Sequence, residues 1–276
     1  MNQFKIGVMQ GRLLPKYKGR YQAHPVGYWK DEFPIASSLN LDSIEFILDY
    51  EDFEKNPLIY SGGAEEINKI TAQTNVLVKS ICADYFMEAS LFSSDKIKLE
   101  QSIKVLKQLI HISPVIGVNN IVIPCVDSSS LNTKEEEEIF IDSISMCLSD
   151  ALKNSVNLCL ETDLNPRRFL SLLKRIDSPL VKVNYDIGNS ASLGYNYIEE
   201  FTVYGDFISD VHIKDRVENG GSVLLGTGAA QLSEVLNTLK DNNYKGIFIM
   251  QAYRDEDGLG IFKKQLDYVL NLLSNL

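Results

Sequence analysis

The segment VNLCLE at residues 156–161, followed by VKVNYD at 181–186, FISDVHI at 207–213 and GIFIMQ at 246–251, decides the reading of this chain. Each is a short, almost continuous apolar run rich in β-branched residues, the pattern of a strand buried on both faces of a parallel sheet. Each also carries a polar side chain at or near its end: Glu161, Asp186, His212 and Gln251. Four runs of the same kind precede them, at 4–9 (FKIGVM), 43–47 (SIEFI), 76–83 (VLVKSICA) and 120–126 (NIVIPCV).

Between the runs the apolar spacing becomes helical. Residues 93–118 place Ile97, Ile103, Leu106, Leu109 and Ile110 mostly three or four apart among Lys, Glu and Gln, with Gly117 near the end as a stop. Residues 134–154 repeat the pattern, with Glu135–Glu138 in the first turn, where the helix dipole favours acids. Two further helices are predicted at 232–239 and 262–272, and weaker ones after strands one, two, five and six. Eight strand–helix units in a chain of 276 residues fit a (β/α)8 TIM barrel. An open doubly wound sheet shares the alternation. Its dinucleotide fingerprint, G-x-G-x-x-G after strand one, is replaced here by Gln10-Gly11-Arg12. No linker or break in composition divides the chain, which reads as one barrel domain over 1–276. The 33 residues between strands one and two are partly loop and suit a rim or lid.

Bulk properties narrow the function. A net charge of −10 lacks the basic footprint that nucleic-acid binding needs, although one local phosphate pocket is compatible with it. No run approaches the roughly 18 apolar residues of a membrane span, and the N-terminus lacks the pattern of a signal peptide. Cys82, Cys125, Cys147 and Cys159 are scattered without C-x-x-C spacing, as free buried thiols in a reducing compartment would be. The cytoplasm is the expected address.

In a barrel the C-terminal ends of all eight strands converge on one mouth, where active sites are built. Glu161, Asp186, His212 and Gln251 would therefore meet there. Two carboxylates, an imidazole and an amide oxygen can surround one divalent ion and leave positions open for substrate oxygens. Singly, a strand-end acid is usually a turn or helix cap; four in succession point to a metal.

The same residues carry a resemblance. IGVMQGRL, LDSIEFI, LCLETD, NYDIGNS, DVHIKDR and the late Gly226-Thr227-Gly228 are similar to the xylose-isomerase-like superfamily of sugar isomerases and epimerases. That resemblance implies a TIM barrel holding one divalent ion, Mn2+ before Co2+, Mg2+ or Zn2+, and a small sugar or sugar phosphate as substrate. It further implies a homodimer, and proton transfer next to a metal-bound carbonyl through an enediolate. In such enzymes two glutamates exchange the carbon-bound proton from opposite sides. Glu161 matches the first, and Asp186 and His212 match the intervening ligands; Gln251 stands where the second glutamate is expected. A carboxamide can ligate through oxygen but neither takes nor gives a proton near neutral pH. Glu161 is then the sole base among the four, which suits aldose–ketose isomerisation, or dehydration of a keto-polyol. Inversion would need a second acid, for which Asp84, Glu45 or a metal-bound water are candidates. Asn189, where several epimerases have histidine, resembles the hexulose-phosphate isomerase branch and could bind a hydroxyl or cap the following turn.

Further candidates line the expected mouth. Arg216 and Arg254 could bind phosphate or a distal hydroxyl, and Lys214 could contact substrate or pair with a carboxylate. Gly220-Gly221-Ser222 and Gly226-Thr227-Gly228 could offer amide N–H groups to a phosphate. Gln10 and Arg12 end strand one; Trp29, Tyr85 and Phe86 could form an apolar wall. A metal-dependent sugar isomerase or epimerase is the leading reading, with a dehydratase or a non-catalytic sugar-binding barrel as alternatives. The DNA-repair branch, which holds three zinc ions with many histidines, is discarded for a chain with three His.

Overall fold

A computed structural model describes residues 4–275. Eight parallel strands, β1 Lys5–Met9, β2 Ser43–Ile47, β3 Ser80–Cys82, β4 Asn120–Cys125, β5 Asn157–Thr162, β6 Val181–Asp186, β7 Ile208–Ile213 and β8 Ile247–Met250, close into a barrel in sequence order. Closure is made by β1 on β8, with Lys5 beside Ile247 and Val8 beside Met250. All eight predicted strands are present. The run at 76–83 is the one that shrinks most: β3 pairs only over its last residues, and Leu77 touches β2 through a single bridge to Ser43.

The helices follow in order: α1 Glu32–Ser38, α2 Gly63–Thr74, α3 Tyr85–Glu88, α4 Lys96–Ile116, α5 Lys134–Asn154, α6 Pro166–Ile176, α7 Ile187–Ser192, α8 Tyr197–Tyr204, α9 Leu232–Asp241 and α10 Leu259–Ser274. Their ends are set by local chemistry. Asp95 accepts from the Ile97 and Lys98 amides at the start of α4, and Gly117 takes positive φ at its end. Thr133 and Glu136 form a reciprocal capping box on α5. Trp29 and Phe86 are buried in the layer between helices and barrel. Trp29 packs on Phe33 and Phe46, and Tyr85 packs on Phe53 and Phe86, so these aromatics build core rather than the sugar-facing wall expected of them.

Inside the barrel, alternate residues of each strand point to the axis. Met9, Ile47, Cys82, Val122, Cys159 and Ile249 form a separate buried plug. Two residues further along their strands lie Asp84, Pro124, Glu161 and Gln251, all at the C-terminal mouth. The plug thus makes the floor, and period-two geometry puts the chemistry directly above it.

The β1–β2 connection is fixed against this mouth. Glu32 accepts from the amides of Gly11 (2.7 Å) and Leu13 (3.0 Å), while Arg254 grips the carbonyls of Gly11 and Leu14 at 2.7 Å each. Gly11 has φ +81°, and a Cβ there would lie 2.9 Å from the Ala23 carbonyl oxygen, so only glycine fits. No helix among the described residues is long and apolar enough to cross a membrane.

Candidate functional site

Glu161, Asp186 and His212, from three neighbouring strands, bring one ligand atom each to within 4.8 Å of one another. All three are buried. His212 directs Nε2 at Glu45 Oε1 (2.7 Å) and leaves Nδ1 beside the Asn184 side-chain amide (3.1 Å), facing Glu161 (3.7 Å) and Asp186 (3.9 Å). Such a carboxylate on the far nitrogen fixes both the orientation and the tautomer of a ligating imidazole. Ser80 donates to the other oxygen of Glu45, which is wholly buried. Glu45, expected to meet substrate, has its two oxygens against His212 and Ser80 and is not on the wall of the cavity at the mouth.

The charge of the cluster suits a cation. Burial, then the neighbouring Asp186, push Glu161 above the ordinary carboxylate range. Burial alone would lower His212, but Glu45, Glu161 and Asp186 outweigh it and hold its pKa up to about 10. In the metal-free protein an imidazolium proton balances these acids. A divalent ion would supply the positive charge instead and release that proton, freeing Nδ1 as a ligand. The fourth predicted ligand fits the same role. Gln251 gives Nε2 to Gln22 Oε1 (3.0 Å), and its own Oε1 is buried without a partner. An orphaned amide oxygen on the wall shared with Glu161 is the acceptor a cation would satisfy. Donor set and charge both fit one divalent ion.

Glu161 is aimed by two amides: Asn184 donates to one oxygen (2.7 Å) and Asn189 to the other (2.6 Å). The turn after β6 is capped by Asp186, which accepts from the Asn189 backbone amide (2.8 Å), so the Asn189 side chain is left to hold the Glu161 carboxylate. Lys214 pairs with Asp186 (3.2 Å), and Arg216 donates to Asn189 Oδ1 (2.9 Å) and the Gly220 carbonyl (2.8 Å).

Of these, Glu161, Asn189, Lys214, Arg216 and Gln251 line a cavity of about 340 Å3 whose wall also includes Arg12, Gln22, Cys82, Asp84, Gly221 and Ser222. That is room for a small sugar. A larger cavity of about 660 Å3 opens at the opposite end of the barrel, among Lys5, Asn120, Asn157 and Lys245. It holds none of the predicted ligands, and barrel chemistry belongs to the C-terminal end.

Three expectations meet other tasks. The Gln10 side chain is fully buried, where its oxygen accepts from the Ile47 amide and lies 2.9 Å from His24 Nδ1. Arg254 is committed to backbone carbonyls of the β1–β2 connection. The amides of Gly226 and Gly228 are taken by Asp215 (2.9 Å each), so this turn offers them to no phosphate. Arg12 keeps a place on the cavity wall while donating to Gln22 Oε1 (2.8 Å) and the Ala252 carbonyl (3.0 Å). The residues that reading the sequence missed are Gln22, Asn184 and Asp210, the last of which forms a second group of possible ligand atoms with Glu45 and His212. Asn184 and Asp210 precede Asp186 and His212 by two, so strand periodicity could have found both; Gln22 lies in a loop and had no such signal.

The chain matches the family model described as xylose isomerase-like TIM barrel over residues 33–272. It is 24% identical over 273 residues to a putative L-ribulose-5-phosphate 3-epimerase, SgbU, of Haemophilus influenzae, covering 93% of this chain and 91% of that protein. Among solved structures it superposes on the zinc-bound IOLI protein with a TM-score of 0.77 at 14% identity, covering 99% of both chains. It also superposes on the 3-keto-D-glucoside 4-epimerase YcjR of E. coli, with a TM-score of 0.75 at 15% identity over 98% of this chain and all of that one.

Proposed function

This chain belongs to the xylose isomerase-like TIM barrel family, and we propose that it is a metal-dependent epimerase of a ketose or ketose phosphate. The observation that carries the reading is Glu161, a buried carboxylate held by two amides beside Asp186 and His212 on the wall of a sugar-sized cavity. The likeness to a putative ketose-phosphate 3-epimerase supports the substrate class.

Glu161, Asp186, His212 and Gln251 would hold the ion, whose chemistry is Lewis-acid polarisation of a substrate carbonyl. Glu161 removes the proton from the adjacent carbon, and its raised pKa suits a base that must also return a proton near neutrality. Asn184 and Asn189 keep its oxygens in place. Arg216, with Gly221 and Ser222 beside it, forms the polar end of the cavity where a phosphate or distal hydroxyl would lie.

The test is a panel of L-ribulose 5-phosphate, D-fructose and D-tagatose with Mn2+, Co2+ or Mg2+ in D2O, followed by NMR. Solvent deuterium at one carbon and growth of the epimer are expected. A product lighter by one water would replace epimerisation with dehydration, and inertness towards the whole panel would overturn the reading. The two arginines should separate in the same assay. Arg216→Ala should raise KM roughly tenfold, the scale of one charge-assisted hydrogen bond. Arg254→Ala should leave KM nearly unchanged and instead lower the melting temperature, through lost bonds worth about 2–4 kcal/mol. Equal KM effects would put Arg254 back at the substrate.

A further inference from the structure

We propose that Asp84 is the second proton-transferring group of this site, acting on the side of the substrate carbon turned away from Glu161. The inference rests on the epimerase reading above and names the acid that the amide at 251 cannot be.

Register places it. Cys82 is level with Val122, and Pro124 is level with Glu161, so Asp84, two residues beyond Cys82, sits in the same layer of the mouth as Glu161. It lines the same cavity. The residue directly precedes α3 yet makes no capping bond to it, so the ordinary structural use of an aspartate at that position is absent. Its carboxylate is held from elsewhere: Gln22 Nε2 donates to Oδ2 (2.7 Å), and the Cys82 thiol to Oδ1 (3.2 Å).

Gln22 joins the two halves of the problem. By giving its N–H to Asp84, it must present Oε1 in the other direction, where it accepts from Arg12 and from Gln251 Nε2. A carboxylate at 251 would set oxygen against oxygen at that contact. The same polarity turns Gln251 Oε1 outward as a ligand. An acid at 84 and an amide at 251 are thus two ends of one directed hydrogen-bond chain, and the carboxyl group has moved along it. Glu161 is anchored from β6 and α7, whereas Asp84 is anchored from the β1–β2 connection and from Cys82 of β3, so separate elements hold the two acids. Burial lifts the Asp84 carboxyl above the usual aspartate range, against the pull of Gln22 and Cys82.

In the step, ionised Glu161 takes the proton, and the C–H electron pair passes into the adjacent carbonyl to give an enediolate. Protonated Asp84 then delivers its proton to the same carbon from the other side; the electron pair of the C=C bond forms the new C–H bond and the carbonyl returns. Glu161 ends protonated and Asp84 ionised. Exchange with water, or turnover in the reverse direction, resets both.

The experiment compares Mn2+-loaded wild type with Asp84→Asn on L-ribulose 5-phosphate, D-fructose and D-tagatose in D2O, reading deuterium uptake and inversion separately. Inversion should fall at least about 100-fold, the range of a lost general acid, while deuterium uptake into the unconverted ketose, through Glu161, stays within a few-fold. Asn keeps an acceptor for Gln22; circular dichroism and Mn2+ affinity should match wild type. Formate added to Asp84→Ala should restore inversion, which a positioning role would not allow. In the metal-free protein, infrared difference spectra should lose a protonated-carboxyl band in Asp84→Asn. Inversion by Asp84→Asn within threefold of wild type would overturn the proposal. Hydrogen exchange without inversion of any ketose by wild type would overturn it too and leave Glu161 as base. No exchange at all would bring down both readings.

Discussion

Glu161→Gln should lower turnover by about 1,000-fold, within the range that a positioned general base contributes, in a protein that still folds. The substitution keeps the volume of the side chain and an oxygen that can ligate. It removes the one carboxylate that is both in the candidate ligand cluster and on the cavity wall. Its structural cost is small but definite. Both Glu161 oxygens now accept from amides, Asn184 and Asn189. A Gln at 161 must turn an NH2 group towards one of those donors and lose that bond, a penalty of roughly 1–3 kcal/mol for the group left unsatisfied. Thermal melts should therefore shift by a few degrees while turnover collapses. Deuterium uptake into the ketose, read by NMR, is the decisive measurement, because it reports proton removal itself. A variant that still exchanges hydrogen within tenfold of wild type would assign the base to another residue.

How much of this was legible beforehand follows from which interactions are local. The eight strands were visible because each is a short apolar run buried on both faces, and their order around the barrel is simply their order in the chain. Strand three was overdrawn because 76–83 is apolar at most positions, while only Ser80–Cys82 forms a strand and only Ile81 and Cys82 find partners on both sides. The strand-end candidates were visible for the same reason as the strands: period-two geometry leaves few positions facing the mouth. What could not be read is where a side chain goes when its partner is distant in sequence. Glu45 meets His212 across 167 residues, Arg254 meets Gly11 across 243, and Gln251 meets Gln22 across 229. None of these contacts was foreseen, because residue type alone does not distinguish a group facing substrate from one bracing the loop that faces it.

The second large effect is on the metal. Asp186→Ala and His212→Ala should each weaken Mn2+ binding by more than about 100-fold, beyond the 10–100-fold typical of outer partners. Glu45→Gln, which acts only through His212 Nε2, should fall inside that smaller range. Asp186 also caps α7 and pairs with Lys214, so Asp186→Asn, which preserves the cap acceptor, separates ligand loss from local unfolding. Protons give an independent check. With His212 held up to about 10 in the metal-free protein, ion binding near neutral pH must expel its proton, and apparent affinity should rise as pH rises. Calorimetry in buffers of different ionisation enthalpy should show that release in wild type and lose it in His212→Ala. Unchanged affinity in both Asp186→Asn and His212→Ala, with a buffer-independent enthalpy in wild type, would mean that no ion sits among these strand ends.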